Sequence, residues 1–83
     1  MALGFPRSEA PGRGVQMIPS TSEAISAYGY DLENQELYIL PRKRASRVYI
    51  YKGFPPDQMA EFLAAESMGR FWALTIKPNY EVR

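Results

Sequence analysis

Three observations predict an α+β domain: a three-stranded antiparallel β-meander followed by two short α-helices packed on one face. Ile25 to Tyr30, Glu36 to Leu40 and Val48 to Tyr51 are rich in the β-branched and aromatic residues that fit a pleated, half-buried surface. The connections between them are short and polar or carry proline, which suits hairpins rather than crossovers. Beyond them Met59, Phe62 and Leu63 recur at i, i+3 and i+4, the spacing of one helix face.

The outer limits come from length and composition. A chain of 83 residues holds one domain, and at that size only roughly 60% of the unfolded surface is buried, so the core is thin. A content of 46% hydrophobic and 13% aromatic residues lies far from the regime of disordered chains, so at least part of the chain folds. Without cysteine or histidine it lacks disulfides, thiolate nucleophiles, the usual general base and the commonest metal ligands. The carboxylate pairs Asp31 with Glu33 and Asp57 with Glu61 are explained by turn and first-turn helix positions, and no glycine-rich phosphate loop is present. The chain is therefore expected to be no enzyme and to need no metal or cofactor. No apolar run approaches the roughly 20 residues that span a bilayer, so a cytoplasmic protein without membrane contact is expected.

Each element has its own justification. Residues 1–19 contain three glycines and three prolines and keep neither a period of 2 nor of 3.6, which predicts a flexible N-terminal arm. The first strand should place Tyr28 and Tyr30 on one face and Ile25 and Ala27 on the other, with Gly29 suited to a bulge. Asp31 to Gln35 is a hairpin turn in which Asn34 tolerates a positive φ. In the second strand Leu37 and Ile39 share one face, Tyr38 and Leu40 the other, and Pro41 ends the ladder. In the third, Tyr49 and Tyr51 face one way, Val48 and Ile50 the other. The side carrying Tyr38, Leu40, Val48 and Ile50 is too apolar for open water and should be covered by the arm or by a second copy, as in a weak homodimer. Pro56 and Asp57 start a helix that ends near Glu66, with Met59, Phe62 and Leu63 buried. Ser67 caps a second helix bearing Phe71, Trp72 and Ile76, which Pro78 ends. Residues 20–80 make the domain and 81–83 a tail.

Gly29-Tyr30-Asp31, Tyr49-x-Tyr51, Phe54-Pro55, Leu63-Ala64-Ala65-x-Ser67-x-Gly69 and Phe71-Trp72-x-x-x-Ile76, following a serine-rich lead-in, together resemble the KTSC domain. The resemblance spans roughly residues 20 to 80. It implies a short module found alone in bacteria and phages and at the C-terminus of some lysyl-tRNA synthetases, with a central Tyr-x-Tyr motif and a suggested role in RNA binding. Two features depart from the family: the longer loop from Pro41 to Ser46, and Ala73 where asparagine is common.

The net charge of +1 argues for no partner, but its distribution does. Arg42, Lys43, Arg44, Arg47 and Lys52 crowd the segment 42–52 without an acid, whereas 53–66 carries Asp57, Glu61 and Glu66 without a base. Cations acting together on phosphates give salt-dependent affinity with little sequence selectivity. The expected function is a small binding module that contacts RNA through the basic loop after the second strand, Lys52 lying at the patch margin. Tyr38, Tyr49 and Tyr51 are candidate aromatic contacts, the alternative for the last two being core packing. The competing expectation is a protein-interaction module acting on a nucleic-acid-handling complex.

Overall fold

The computed structural model describes residues 15–43 and 47–82. Four antiparallel strands form one sheet in sequence order: β1 (Ile18–Pro19), β2 (Ile25–Asp31), β3 (Glu36–Pro41) and β4 (Tyr49–Tyr51). Helices α1 (Pro56–Ala64) and α2 (Met68–Phe71) follow, and α2 runs directly into a π-helical turn, Trp72–Ile76. The meander and the two helices match the sequence reading; β1 is an addition. Ile18 pairs with Tyr28 and Pro19 with Ala27, so the end of the expected flexible arm is in fact an edge strand. The rest of that expectation, residues 1–14, lies outside the described residues.

The register decides which side chains meet. Tyr28 opposes Ile39, Tyr30 opposes Leu37, and Tyr49 and Tyr51 oppose Ile39 and Leu37 from the other side, so all six face the helices. A register shift between Ile25 and Ala27 turns Ile25 onto this same face, against the simple alternation that placed it opposite Tyr28. The bulge therefore sits near Ser26, and the ladder runs unbroken through Gly29. The core consists of Ile25, Leu37, Ile39, Tyr51, Phe54, Met59, Phe62, Trp72 and Ile76.

Leu63 is not among them. It is 50% exposed while Phe62 and Met59 are buried, because one sheet covers a narrower arc of α1 than the stripe of three residues spans. Phe62 instead meets Tyr28 and Phe71 edge to face or tilted, at 6.0 and 5.8 Å.

The turn between β2 and β3 is held by Asp31, which accepts from the Asn34 backbone N–H at 3.1 Å and its side-chain amide at 2.9 Å. The positive φ falls on Gln35 rather than on Asn34. At the other end of the chain the segment after the π turn is more than a tail. Tyr80 packs its ring 4.9 Å from Phe54, and Val82 bridges Tyr51 on the outer side of β4.

The second face of the sheet is covered in part by the chain preceding β1. A Cβ built on Gly29 would meet Gln16 O and Val15 Cγ1 at 2.9 Å and Met17 Sδ at 3.0 Å, so residues 15–17 lie hard against it. Glycine is required there by close approach, not by its φ. Tyr38, opposite Gly29 in the register, is fully buried on this face and donates its phenol to Glu36 Oε1.

Candidate nucleic-acid interface

The structure redistributes the residues singled out in the sequence. Arg42 leads out of β3, where its backbone N–H bonds Ala24 O. Its Nε donates to Ser22 O at 2.9 Å, and its Nη2 to Ser20 O at 2.8 Å and to Ile25 O at 3.2 Å. Three carbonyls of the serine-rich lead-in thus converge on one guanidinium, whose planar fork suits that geometry. Arg42 fastens the chain between β1 and β2 and is not a free phosphate ligand. Arg44 lies outside the described residues. Lys52 is exposed and follows β4, five residues beyond Arg47.

Among the aromatic candidates, Tyr38 and Tyr51 are buried and cannot receive a ligand ring. Burial raises the Tyr51 phenol above the usual tyrosine range; the hydrogen bond from Trp72 opposes the shift and neighbouring Tyr49 adds to it. Of the three, only Tyr49 is half-buried. Arg47 lies over that ring at 5.1 Å.

One cleft gathers what remains. Lys43, Tyr49, Trp72 and Lys77 line it together with Glu23, Ala24 and Pro41, enclosing about 430 Å³. The Tyr49 and Trp72 rings meet at 6.0 Å and 68°, forming a corner. The Lys77 ammonium lies 4.3 Å from the centre of the Trp72 ring, so each aromatic carries a cation at its face.

Lys77 and Glu23 escape sequence reasoning for a definable reason. In an α-helix, residues five apart are rotated by about 140° and point to different sides. Here the Lys77 backbone N–H bonds Trp72 O at 2.8 Å, an i to i+5 closure that stacks Lys77 above Trp72. Such turns are rare and recur at functional sites. The only sequence signal is a lysine immediately before Pro78, which by itself does not foretell a π turn.

A larger groove of about 740 Å³ separates the lead-in from the α1–α2 junction. Its lining is a near-even mixture of polar and apolar surface, and its base is tightly packed: a Cβ on Gly69 would come within 2.8 Å of Ala24 Cβ. Ser67 Oγ caps α2 by accepting from the Arg70 N–H at 3.3 Å, as its position predicts. Among the described residues there is no group of three acids able to hold a metal ion, and no helix is long and apolar enough to cross a membrane.

Comparison with known proteins places these features in a family. The model of the KTSC domain matches residues 21–80. A protein of Tsukamurella paurometabola is 41% identical over 64 residues, 77% of this chain and 92% of its own length. The crystal structure of a KTSC domain protein from Yersinia pestis superposes with a TM-score of 0.76 at 35% identity, over 83% of this chain and 94% of that one.

Proposed function

We propose that this chain, which belongs to the KTSC domain family, is a non-catalytic module that binds nucleic acid in the cytoplasm. Binding is through phosphate contacts from Lys43 and Lys77, which line one cleft, and from Arg47 over the Tyr49 ring beside it. The observation that carries this reading is that Lys43 and Lys77, far apart in sequence, line one cleft, beside which exposed Arg47 lies over the Tyr49 ring. Phosphates are bound by cations whose fields add, and the half-buried Tyr49 ring beside them offers surface to a sugar or base. Arg42 contributes by holding the lead-in in place, and Arg44 adds charge to the same loop.

Three phosphate contacts give a log K against log salt slope of roughly −2 on single strands and −3 on duplex. Charge reversal at Lys43 and Arg47 should flatten the slope and weaken binding to every sequence alike, because phosphate contacts position a protein without reading bases. Fluorescence anisotropy with labelled RNA across a salt series measures this. Unchanged affinity in the reversed variant would remove the cleft as the interface. Recovery of one partner protein from lysate, indifferent to nuclease, would favour the protein-interaction reading.

A further inference from the structure

We propose that the cleft lined by Lys43 and Lys77 also receives the β2–β3 turn of a second copy of this chain, Leu32 seating on its apolar lining while the acids around Leu32 meet the two lysines. The contact shares its site with the nucleic-acid reading above, and the competition between the two rests on that reading.

The turn is a rigid knob. Leu32 is 64% exposed, with exposed Glu33 beside it. The turn keeps its shape without help from Leu32, because Asp31 accepts from the backbone and side-chain N–H groups of Asn34. A leucine presented on a fixed turn loses little freedom on binding. Negative charge gathers around it. The Phe54 N–H bonds Gln35 O at 2.9 Å, which brings the start of α1 with exposed Asp57 to this end of the sheet, and Asp31 and Asp57 both act on the Tyr30 phenol. Lys52 and Glu81, joined here backbone to backbone, offset each other.

The cleft is the complement. Its exposed lining is more apolar than polar, and Lys43 and Lys77 outnumber Glu23 around it. A space of about 430 Å³ lies within the range of small-ligand sites, roughly 300 to 1,000 Å³, enough for the few side chains at the head of a turn. β3 separates the two parts: Glu36 opposes Asp31 at the turn, and Pro41, five residues later, lines the cleft. That is roughly 17 Å of strand. A molecule therefore cannot fill its own cleft, and it carries both halves of a head-to-tail contact, in which one patch meets a different patch of the next copy. Opposite charge at opposite ends favours that alignment over like ends meeting. Phosphates and the acids of the turn compete for the same lysines, so nucleic acid and the second copy exclude one another.

Sedimentation equilibrium of the intact protein over a concentration series tests the contact. The mass should rise reversibly with concentration at low salt and fall back as salt screens the charges. Leu32→Ser removes the knob, and Lys43→Glu with Lys77→Glu reverses the cleft. All three side chains are exposed, so both variants should melt like the parent. Each variant alone should associate about tenfold more weakly or worse. Mixed, they should form a one-to-one pair, the intact cleft of the first taking the intact turn of the second. A parent that is monomeric at every concentration, a variant that associates like the parent, or a mixture without the pair would overturn the proposal. Short single-stranded RNA should dissolve the association as it binds; RNA bound with the association intact would overturn the shared site. Association in a chain that binds no RNA would uphold the self-contact and remove the nucleic-acid reading instead.

Discussion

Trp72 donates its indole N–H to the Tyr51 phenol oxygen at 2.9 Å, a buried contact that ties the helical layer to β4. Tyr51→Phe keeps the ring but leaves the indole N–H without its acceptor. The expected loss is about 1 to 3 kcal/mol, the penalty for an unsatisfied buried donor. Chemical denaturation followed by Trp72 emission measures it, and an unchanged midpoint would show that the contact is energetically silent.

Adjacent positions on α1 should behave oppositely. Phe62 is fully buried against Tyr28 and Phe71, so Phe62→Ala should cost about 3 to 5 kcal/mol. Leu63 is half exposed, and Leu63→Ala should stay within about 0.5 kcal/mol, as surface changes usually do. Comparable losses in both variants would contradict the orientation of the helix.

Gly29→Ala tests the crossing of residues 15–17 over the second face. The new methyl would press on backbone at Gln16 as well as on side chains, and backbone yields little. The expected cost is about 1 to 3 kcal/mol, with faster amide exchange at Ser20, whose N–H bonds Ser26 O beside β1. Full protection at Ser20 would mean that the crossing segment adapts without strain.

Arg42 and Lys43 are neighbours with separable roles. Arg42→Met should lower stability by about 1 to 2 kcal/mol through loss of its carbonyl contacts. It should leave the salt slope of nucleic-acid binding near that of the parent. Lys43→Met should do the reverse. Parallel thermal melts and salt titrations decide the matter, and a reduced slope in the Arg42 variant would return that residue to the interface.

Stability should fall at alkaline pH. The Tyr30 phenol is raised above its ordinary value of 10.0, first by burial and then by the nearby charges of Asp31, Asp57 and Tyr80. It also donates to Phe54 O, which the phenolate cannot do. Since the folded state holds this proton more tightly, the stabilisation is complete below about pH 10 and is lost as pH climbs through the raised value. Tyr51 acts in the same direction. Melting temperatures should be insensitive to these phenols up to about pH 9 and drop beyond pH 10, less steeply in Tyr30→Phe.

Which parts of this structure the sequence reveals follows from how far each feature depends on distant residues. Alternation in Glu36 to Leu40 and in Tyr49 to Tyr51 is local, and it puts Leu37 with Ile39 on one face, Tyr38 on the other, and Tyr49 with Tyr51 together, as found, while leaving open that Tyr51 belongs to the core. The Ser67 cap is equally local. Leu63 is misplaced because a stripe tells which residues lie together, not how much of the stripe a neighbour covers. β1 has two residues, one of them proline, too few for any period. The role of Arg42 depends on carbonyls 17 to 22 residues earlier, which no local pattern encodes. Clustered charge draws attention to the loop after β3, whereas Lys77 comes beside Lys43 only through the π turn, which no local pattern foretells.

The sheet's two outer strands are each guarded. On one side β1 is short and contains Pro19, which has no N–H to offer an incoming strand. On the other, the Val82 bridge and the Lys52 N–H to Glu81 O contact occupy hydrogen-bonding groups at the end of β4. A long unprotected row of such groups templates strand addition and fibril growth. Here another molecule would first have to displace Val82 or dock on two residues, so polymerisation by strand exchange requires prior local unfolding. Its onset should therefore follow the fraying of residues 80–82 rather than protein concentration alone.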